Sequence, residues 1–137
     1  MAGGETIDIL LVDDEPLVRQ VLRRVLEAEG YRVTEANSAA DARRAVLAAE
    51  RAFDLILLDQ TMPLESGIDA APGLRSMCPA PIILFTGHAA LHSPHITAVL
   101  EKPAPIEDVL ALVRLVLESS PAEPALLLGY PGDERKP

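Results

Sequence analysis

The sequence predicts an α/β fold: a doubly wound, five-stranded parallel sheet with helices on both faces. Three observations predict it. Short runs that read as strands recur at residues 7–12, 31–36, 54–58, 81–85 and 96–100, most of them rich in Leu, Ile and Val. The runs at 7–12, 54–58 and 81–85 are almost wholly apolar, the mark of strands buried on both sides, as in parallel sheets. Segments with helical periodicity lie between the runs, so strand and helix alternate, and such alternation implies right-handed crossovers and a sheet covered twice.

Each element has its own local signal. Ile7 to Val12 is the first strand, and Asp13-Asp14-Glu15-Pro16 ends it. Pro16 suits the first turn of a helix, and Val18, Val21, Leu22, Val25 and Leu26 follow at helical spacing with charged residues between them. Gly30 is a helix stop. Tyr31 to Ala36 alternates as a short second strand. Ser38 and Asp41 have the spacing of a capping box and open an Ala-rich helix to about Glu50. Asp54 to Leu58 is the third strand, and it runs into Asp59. A loop with Met62-Pro63 and Gly67 leads to a weaker helix over residues 68–77, where Pro72 is expected in the first turn or at a kink. Residues 81–85 form the fourth strand, ending in Thr86-Gly87. Residues 88–95 are ambiguous, one or two helical turns at most. The fifth strand, at 96–100, precedes Glu101-Lys102-Pro103, and residues 106–118 form a strong helix. The reading is one domain over residues 1–118, with a Pro-rich tail over 119–137 that is flexible or docked on the last helix.

Composition narrows the function. The chain has 137 residues, enough for one domain, and half are apolar. There is no Trp and aromatics are scarce, so the core is aliphatic. The longest apolar run is too short to cross a bilayer, and the first residues lack the basic and apolar regions of a secretory signal. A single cysteine, Cys78, fits a reducing cytoplasm. The net charge of −9 argues against direct nucleic-acid binding, which needs a positive surface.

The chemistry-bearing residues fall at strand carboxyl ends, where ligands bind in open parallel sheets. Asp13 and Asp14 follow the first strand, Asp59 the third, Thr86 the fourth and Lys102 the fifth. Core packing requires charge at none of these places. Converging carboxylates repel and need an offsetting cation, and Mg²⁺ (or Mn²⁺) prefers such oxygen ligands. A cation, an ammonium, a hydroxyl and backbone N–H groups around one carboxylate make a phosphoryl-transfer site, with Asp59 as nucleophile.

The chain resembles the receiver domain of two-component response regulators over residues 7–117. The stretches that carry the likeness are Leu11-Val12-Asp13-Asp14-Glu15, the third strand through Asp59 with Met62-Pro63 and Gly67, Phe85-Thr86-Gly87, and Leu100-Glu101-Lys102-Pro103. Each stretch alone is moderately specific; together and in order they are highly specific. The resemblance implies a flavodoxin-like sheet in strand order 2-1-3-4-5. It implies that Asp59 accepts phosphate from a phosphohistidine on a sensor histidine kinase or phosphotransfer protein. Asp14 would bind Mg²⁺ directly, Asp13 mainly through water, and the Thr61 carbonyl would be a further ligand. Lys102, with Thr86 and Gly87, would hold the phosphoryl group and register its presence. Pro103 would follow a cis peptide bond, Pro63 would shape the loop, and Gly67 would permit the turn before the third helix.

Two departures bear on signalling. Family members commonly carry an aromatic switch residue three positions before the lysine, and Val99 stands there. The segment from Thr86 to Lys102 is short, so the fourth helix is expected to be short or absent. The expectation is that phosphorylation is read out by reordering of residues 88–97 rather than by an aromatic flip. Ser66, in place of the usual Asp or Asn, is expected to matter little.

A phosphohydrolase with an aspartyl-phosphate intermediate needs a carboxylate two residues after the nucleophile, and Thr61 stands there. A phosphorylation-independent interaction module of the same fold would have lost one of the five polar residues, and none is lost. A stand-alone receiver and a piece of a longer regulator or hybrid kinase both remain open. Asp13-Asp14 alone reads equally as a helix N-terminal acidic pair, and Lys102 alone as a surface lysine. His88, His92 and His95 read as loop residues in preference to a metal site, and Cys78 as incidental. On the last helix, Ile106, Val109, Leu110, Val113 and Leu117 form the face toward the sheet. Leu112 and Leu115 fall opposite, either as scattered surface leucines or as an interaction face for a homodimer or for Leu126-Leu127-Leu128 of the tail.

Overall fold

The computed structural model describes residues 6–88 and 93–119. The five strands are β1 (Asp8–Val12), β2 (Arg32–Ala36), β3 (Leu55–Asp59), β4 (Ile82–Thr86) and β5 (Ala98–Glu101). All pair in parallel, in the order β2-β1-β3-β4-β5. The helices are α1 (Pro16–Ala28), α2 (Ala39–Ala48), α3 (Gly67–Met77) and α4 (Ile106–Glu118). No helix stands between β4 and β5 among the described residues, in line with the expected loss of a fourth crossover helix. Residues 89–92, part of the segment expected to reorder, lie outside the described residues, as do His92 and all of the tail beyond Ser119.

The period-two alternation of strands sorts the core into two layers. Leu10, Val12, Ile56, Leu58, Ile82 and Leu84 face α2 and α3, which meet them with Ala39, Ala42, Ala70, Ala71 and Leu74. Those small residues let two helices lie close to one sheet face. Ile9, Leu11, Leu55, Leu57, Ile83 and Phe85 face the other way, onto Leu22 and Leu26 of α1 and Val109, Val113 and Val116 of α4. Each fully buried Leu or Ile contributes about 1.5–3 kcal/mol relative to exposure. The three central strands, buried at every position, therefore supply a rigid base for the loops at their carboxyl ends.

Local chemistry sets the helix ends. At the end of α1, Gly30 sits at φ 98°. Its N–H donates to the Glu27 carbonyl and the Tyr31 N–H to the Leu26 carbonyl, the paired bonds of a Schellman motif. Ser38 caps α2 by accepting from the Asp41 N–H at 3.0 Å, and Asp41 accepts in turn from the Asn37 N–H, one residue earlier than a strict capping box. Four points differ from expectation. Val21, one of the apolar residues at helical spacing in α1, is 52% exposed, because the stripe that meets the sheet is narrow and centres on Leu22 and Leu26. Of the two places expected for Pro72, the first turn is excluded: it stands well inside α3, on the exposed side, where the helical bond it cannot donate is replaceable by water. Leu112 packs against the core on the α1 and α4 side, so of the supposed outward pair only Leu115, 45% exposed, faces solvent. Val116, left out of the expected sheet-facing set, is buried.

Candidate functional site

The carboxyl ends of β1, β3, β4 and β5 bring the predicted polar residues together. Val12 is level with Leu58, so the next residues along, Asp13 and Asp59, emerge side by side. Asp59 is level with Phe85, and Thr86 with Glu101, which brings the ends of β4 and β5 to the same rim. Asp13, Asp59 and Thr86 are buried, at 3%, 4% and 2% exposure. Carboxylate oxygens of Asp13, Asp14 and Asp59 lie within 4.8 Å of one another. Lys102 reaches across from the end of β5 and donates from Nζ to Asp59 Oδ1 at 2.5 Å.

One ammonium therefore faces three carboxylates. Burial pushes the Asp59 carboxyl above its ordinary range; the hydrogen bond from Lys102 opposes that shift and the field of Asp13 adds to it. Burial also raises Asp13, opposed by the Glu15 N–H that donates to its Oδ1 at 2.9 Å and by Lys102. For Lys102 burial works downward, but the hydrogen bond to Asp59 and the fields of Asp59, Asp13 and Glu15 outweigh it, and its pKa is raised. The all-oxygen donor set and the spare negative charge fit a hard divalent cation.

Backbone contacts hold the rim in place. The Lys102 N–H donates to the Thr86 carbonyl, the Gln60 N–H to the Phe85 carbonyl and the Gly67 N–H to the Gln60 carbonyl. The Lys102–Pro103 peptide is cis, as the resemblance implied. The Thr86 hydroxyl accepts from the His88 N–H at 3.0 Å. Thr61 and Pro63 are exposed in the loop after β3, and Gly87 is exposed after β4. Gly67 has a different reason from the expected one. It is the first residue of α3, outside the left-handed region, and a Cβ there would lie 2.5 Å from the Asp59 carbonyl oxygen and 2.8 Å from Leu84 Cδ1. Close approach, rather than turn geometry, requires glycine. Val99, at the place of the aromatic switch, packs partly against the core on the α2 and α3 side.

Some contributors were missed from sequence. Ser66 caps α3, accepting from the Asp69 N–H at 3.2 Å, in the same Ser-x-x-Asp spacing that marked Ser38. Gln60 Oε1 accepts from the Ile68 N–H at 2.9 Å, tying the strand end to the helix start. Leu64, fully exposed in the same loop, holds φ 73°, a conformation that costs a branched side chain energy. Arg43 of α2 grips Glu65 with both guanidinium nitrogens. Nothing in the local sequence marks the last two.

The fold and the rim define a class: parallel α/β proteins with an acidic cluster and a lysine converging at the sheet's carboxyl edge. The chain belongs to the response regulator receiver domain family, which it matches over residues 9–114. It is a receiver domain of the two-component response regulators. The probable transcriptional regulatory protein TcrX of Mycobacterium tuberculosis is 34% identical over 124 residues, 85% of this chain and 52% of that protein. Chemotaxis protein CheY4 of Vibrio cholerae is 27% identical, with TM-score 0.71 over 82% of this chain and 99% of that one. The response regulator TrrA of Thermotoga maritima, solved in complex with Mg(2+)-BeF, is 29% identical, with TM-score 0.72 over 81% and 99%. The chain spans about half or less of the length of the curated relatives it matches, among them a protein-glutamate methylesterase of Hahella chejuensis of which it covers 24%. The receiver family is a phosphoacceptor family, not one of enzymes turning over an external substrate. No helix among the described residues is long and apolar enough to cross a membrane.

Proposed function

We propose that Asp59 is the phosphoacceptor, supplied by a phosphohistidine on a sensor histidine kinase or phosphotransfer protein, and that residues 1–118 act as the receiver with 119–137 as an appended tail. The observation that carries the reading is the buried Asp59 carboxylate, paired with Lys102 and flanked by Asp13 and Asp14. An Asp59 oxygen attacks phosphorus as the phosphorus–nitrogen bond of the donor breaks. The imidazole nitrogen keeps the bonding pair and takes up a proton, and Asp59 becomes an acyl phosphate. Lys102 passes from the carboxylate to a phosphoryl oxygen. The Thr86 hydroxyl, which accepts from His88, has its own hydrogen left to donate to another. Gly87 follows Thr86 at an exposed position, with open space where a side chain would begin. Asp13, Asp14 and Asp59, with the Thr61 carbonyl, would hold Mg²⁺ or Mn²⁺, which when bound neutralises charge on the carboxylates and phosphoryl oxygens. Water then hydrolyses the acyl phosphate, releasing inorganic phosphate and returning Asp59 to the carboxylate.

The setting of this chemistry is the cytoplasm, and output runs through protein contacts rather than direct nucleic-acid binding, given the net charge of −9. The test is intact mass after exposure to acetyl phosphate, with and without Mg²⁺, for the wild type and Asp59→Asn. A single phosphate adduct that requires both Mg²⁺ and Asp59 is expected. An adduct on Asp59→Asn, or none on wild type with either a small donor or a phosphohistidine protein, would overturn the assignment and favour a phosphorylation-independent module.

A further inference from the structure

We infer that Arg19 is a positioning residue for the metal-binding loop, acting through the Asp13 carbonyl; this rests on the reading of Asp13, Asp14 and Asp59 as the cation site. The Arg19 side chain, only 16% exposed, rises from the first turns of α1 and folds back over the end of β1. One guanidinium nitrogen donates to the Asp13 carbonyl at 2.7 Å, and Nε donates to Glu35 Oε1 of β2 at 2.8 Å. The Asp13 carbonyl is the acceptor half of the peptide that joins the two acidic residues. With the Asp13 N–H already spent on the Ala36 carbonyl, the bond from Arg19 fixes the plane of that peptide. The plane sets the direction in which Asp14 leaves the chain, and so the spacing of its carboxylate from those of Asp13 and Asp59. Glu35 in turn fixes Arg19. Its carboxylate is held by two arginines, Arg23 on Oε2 at 2.8 Å and Arg19 on Oε1.

Arg23 is the internal control. It binds the same Glu35, and also Glu27 at 2.9 Å, but none of its hydrogen bonds goes to the loop after β1. If Arg19 merely pinned α1 to β2, its loss and the loss of Arg23 would have the same consequences. Outer-shell partners that orient metal ligands are commonly worth 10- to 100-fold in metal affinity. Here the partner is a backbone carbonyl next to a ligand, so the lower end applies.

The test uses the whole chain, wild type, Arg19→Met and Arg23→Met, with Mg²⁺ binding followed by titration calorimetry. Hydrogen exchange across residues 13–15 is measured on the same proteins without metal. Both variants are expected to melt below wild type. Arg19→Met alone is expected to bind Mg²⁺ about 10-fold more weakly and to exchange faster at residues 13–15. Equal Mg²⁺ affinity in the two variants would overturn the inference and leave the cation site standing. Absence of Mg²⁺ binding by the wild type would overturn the cation site, and the inference with it. Should Arg19→Met fail to fold, Arg19→Lys, which keeps the charge but loses the fork that spans Asp13 and Glu35, must still bind Mg²⁺ at least about 3-fold more weakly than wild type; equal binding would overturn the inference.

Discussion

β1 carries a buried aspartate at each end, and the two are treated in opposite ways. Asp8, at the amino end, is 9% exposed and fully matched. Arg32 grips both its oxygens at 2.7 and 3.2 Å, and Arg51 stands 3.7 Å away. Its backbone N–H donates to Asp54. Among the described residues Asp13, at the carboxyl end, has no arginine on its carboxylate; it lies beside Asp14 and Asp59 in the field of Lys102. The first arrangement is complete without anything added. The second is a surplus of buried negative charge, and burial raises the pKa of two of its members. A fold that compensates charge so fully at one end of a strand can do so at the other. The surplus at the carboxyl end fits a hard divalent cation, whose charge would offset the clustered carboxylates.

The largest expected effect lies in the chemistry. Asp59→Asn is expected to abolish the phosphate adduct in intact mass, while Asp8→Asn leaves it unchanged. Gly67→Ala comes next, because its Cβ would press on the Asp59 carbonyl. The expected cost is about 2 kcal/mol of stability from overpacking, read by urea denaturation, together with slower phosphorylation as the acceptor is displaced. Unchanged stability would mean that α3 can retreat without disturbing the site.

A third prediction separates the two aspartates directly. With chelator present at pH 7, Asp13→Asn is expected to melt a few degrees above wild type, and Mg²⁺ should raise the midpoint of wild type but scarcely that of the variant. Asp8→Asn should melt below wild type by the same amount with and without Mg²⁺. The pH dependence has a definite sign. The folded pKa of Asp13 lies above its unfolded value, so the metal-free wild type regains stability as pH falls through that raised pKa toward 3.8. The advantage of Asp13→Asn should therefore shrink as pH is lowered and vanish below the unfolded pKa. A gap that widens on acidification would mean that the charge on Asp13 stabilises the metal-free fold. For Lys102 the shift is also upward, so its contribution persists below 10.5 and fades only as pH climbs through the raised value.

Most of the architecture was legible because the strands are short, apolar and bounded by turn residues, and because the polar residues of the site each terminate a strand. Asp13, Asp59, Thr86 and Lys102 were found from that placement alone, and the structure brings them to one rim. What escaped were contacts between elements distant in sequence. Arg19 looks like any solvent-facing residue on an amphipathic helix, and only the return of β2 beside β1 puts Glu35 within its reach. Gly67 was recognised, but its reason lay in the packing of α3 against the Asp59 backbone. The wheel of the last helix was misread at Leu112 because α4 is sunk deeply enough for its flank to touch the core.

That misreading sharpens the last and smallest prediction, which concerns the face away from the site. An interaction patch made of Leu112 and Leu115 is reduced because Leu112 is partly buried against the core. Leu115 remains as a single exposed leucine, an ordinary feature of protein surfaces. Leu115→Lys is expected to change stability by no more than about 0.5 kcal/mol and to leave the mass in sedimentation equilibrium unchanged, with or without phosphorylation. Leu112→Lys, by contrast, must bring an ammonium to the edge of the core and is expected to cost more, even though the two leucines are three residues apart on one helix. A fall in assembled mass for Leu115→Lys would restore the interaction face, with Leu115 at its centre and Leu112 as its packed support. An equal loss of stability in both variants would instead mean that Leu115 is covered by a further part of this chain, and denaturation of a variant ending at Ser119 would then show the same loss.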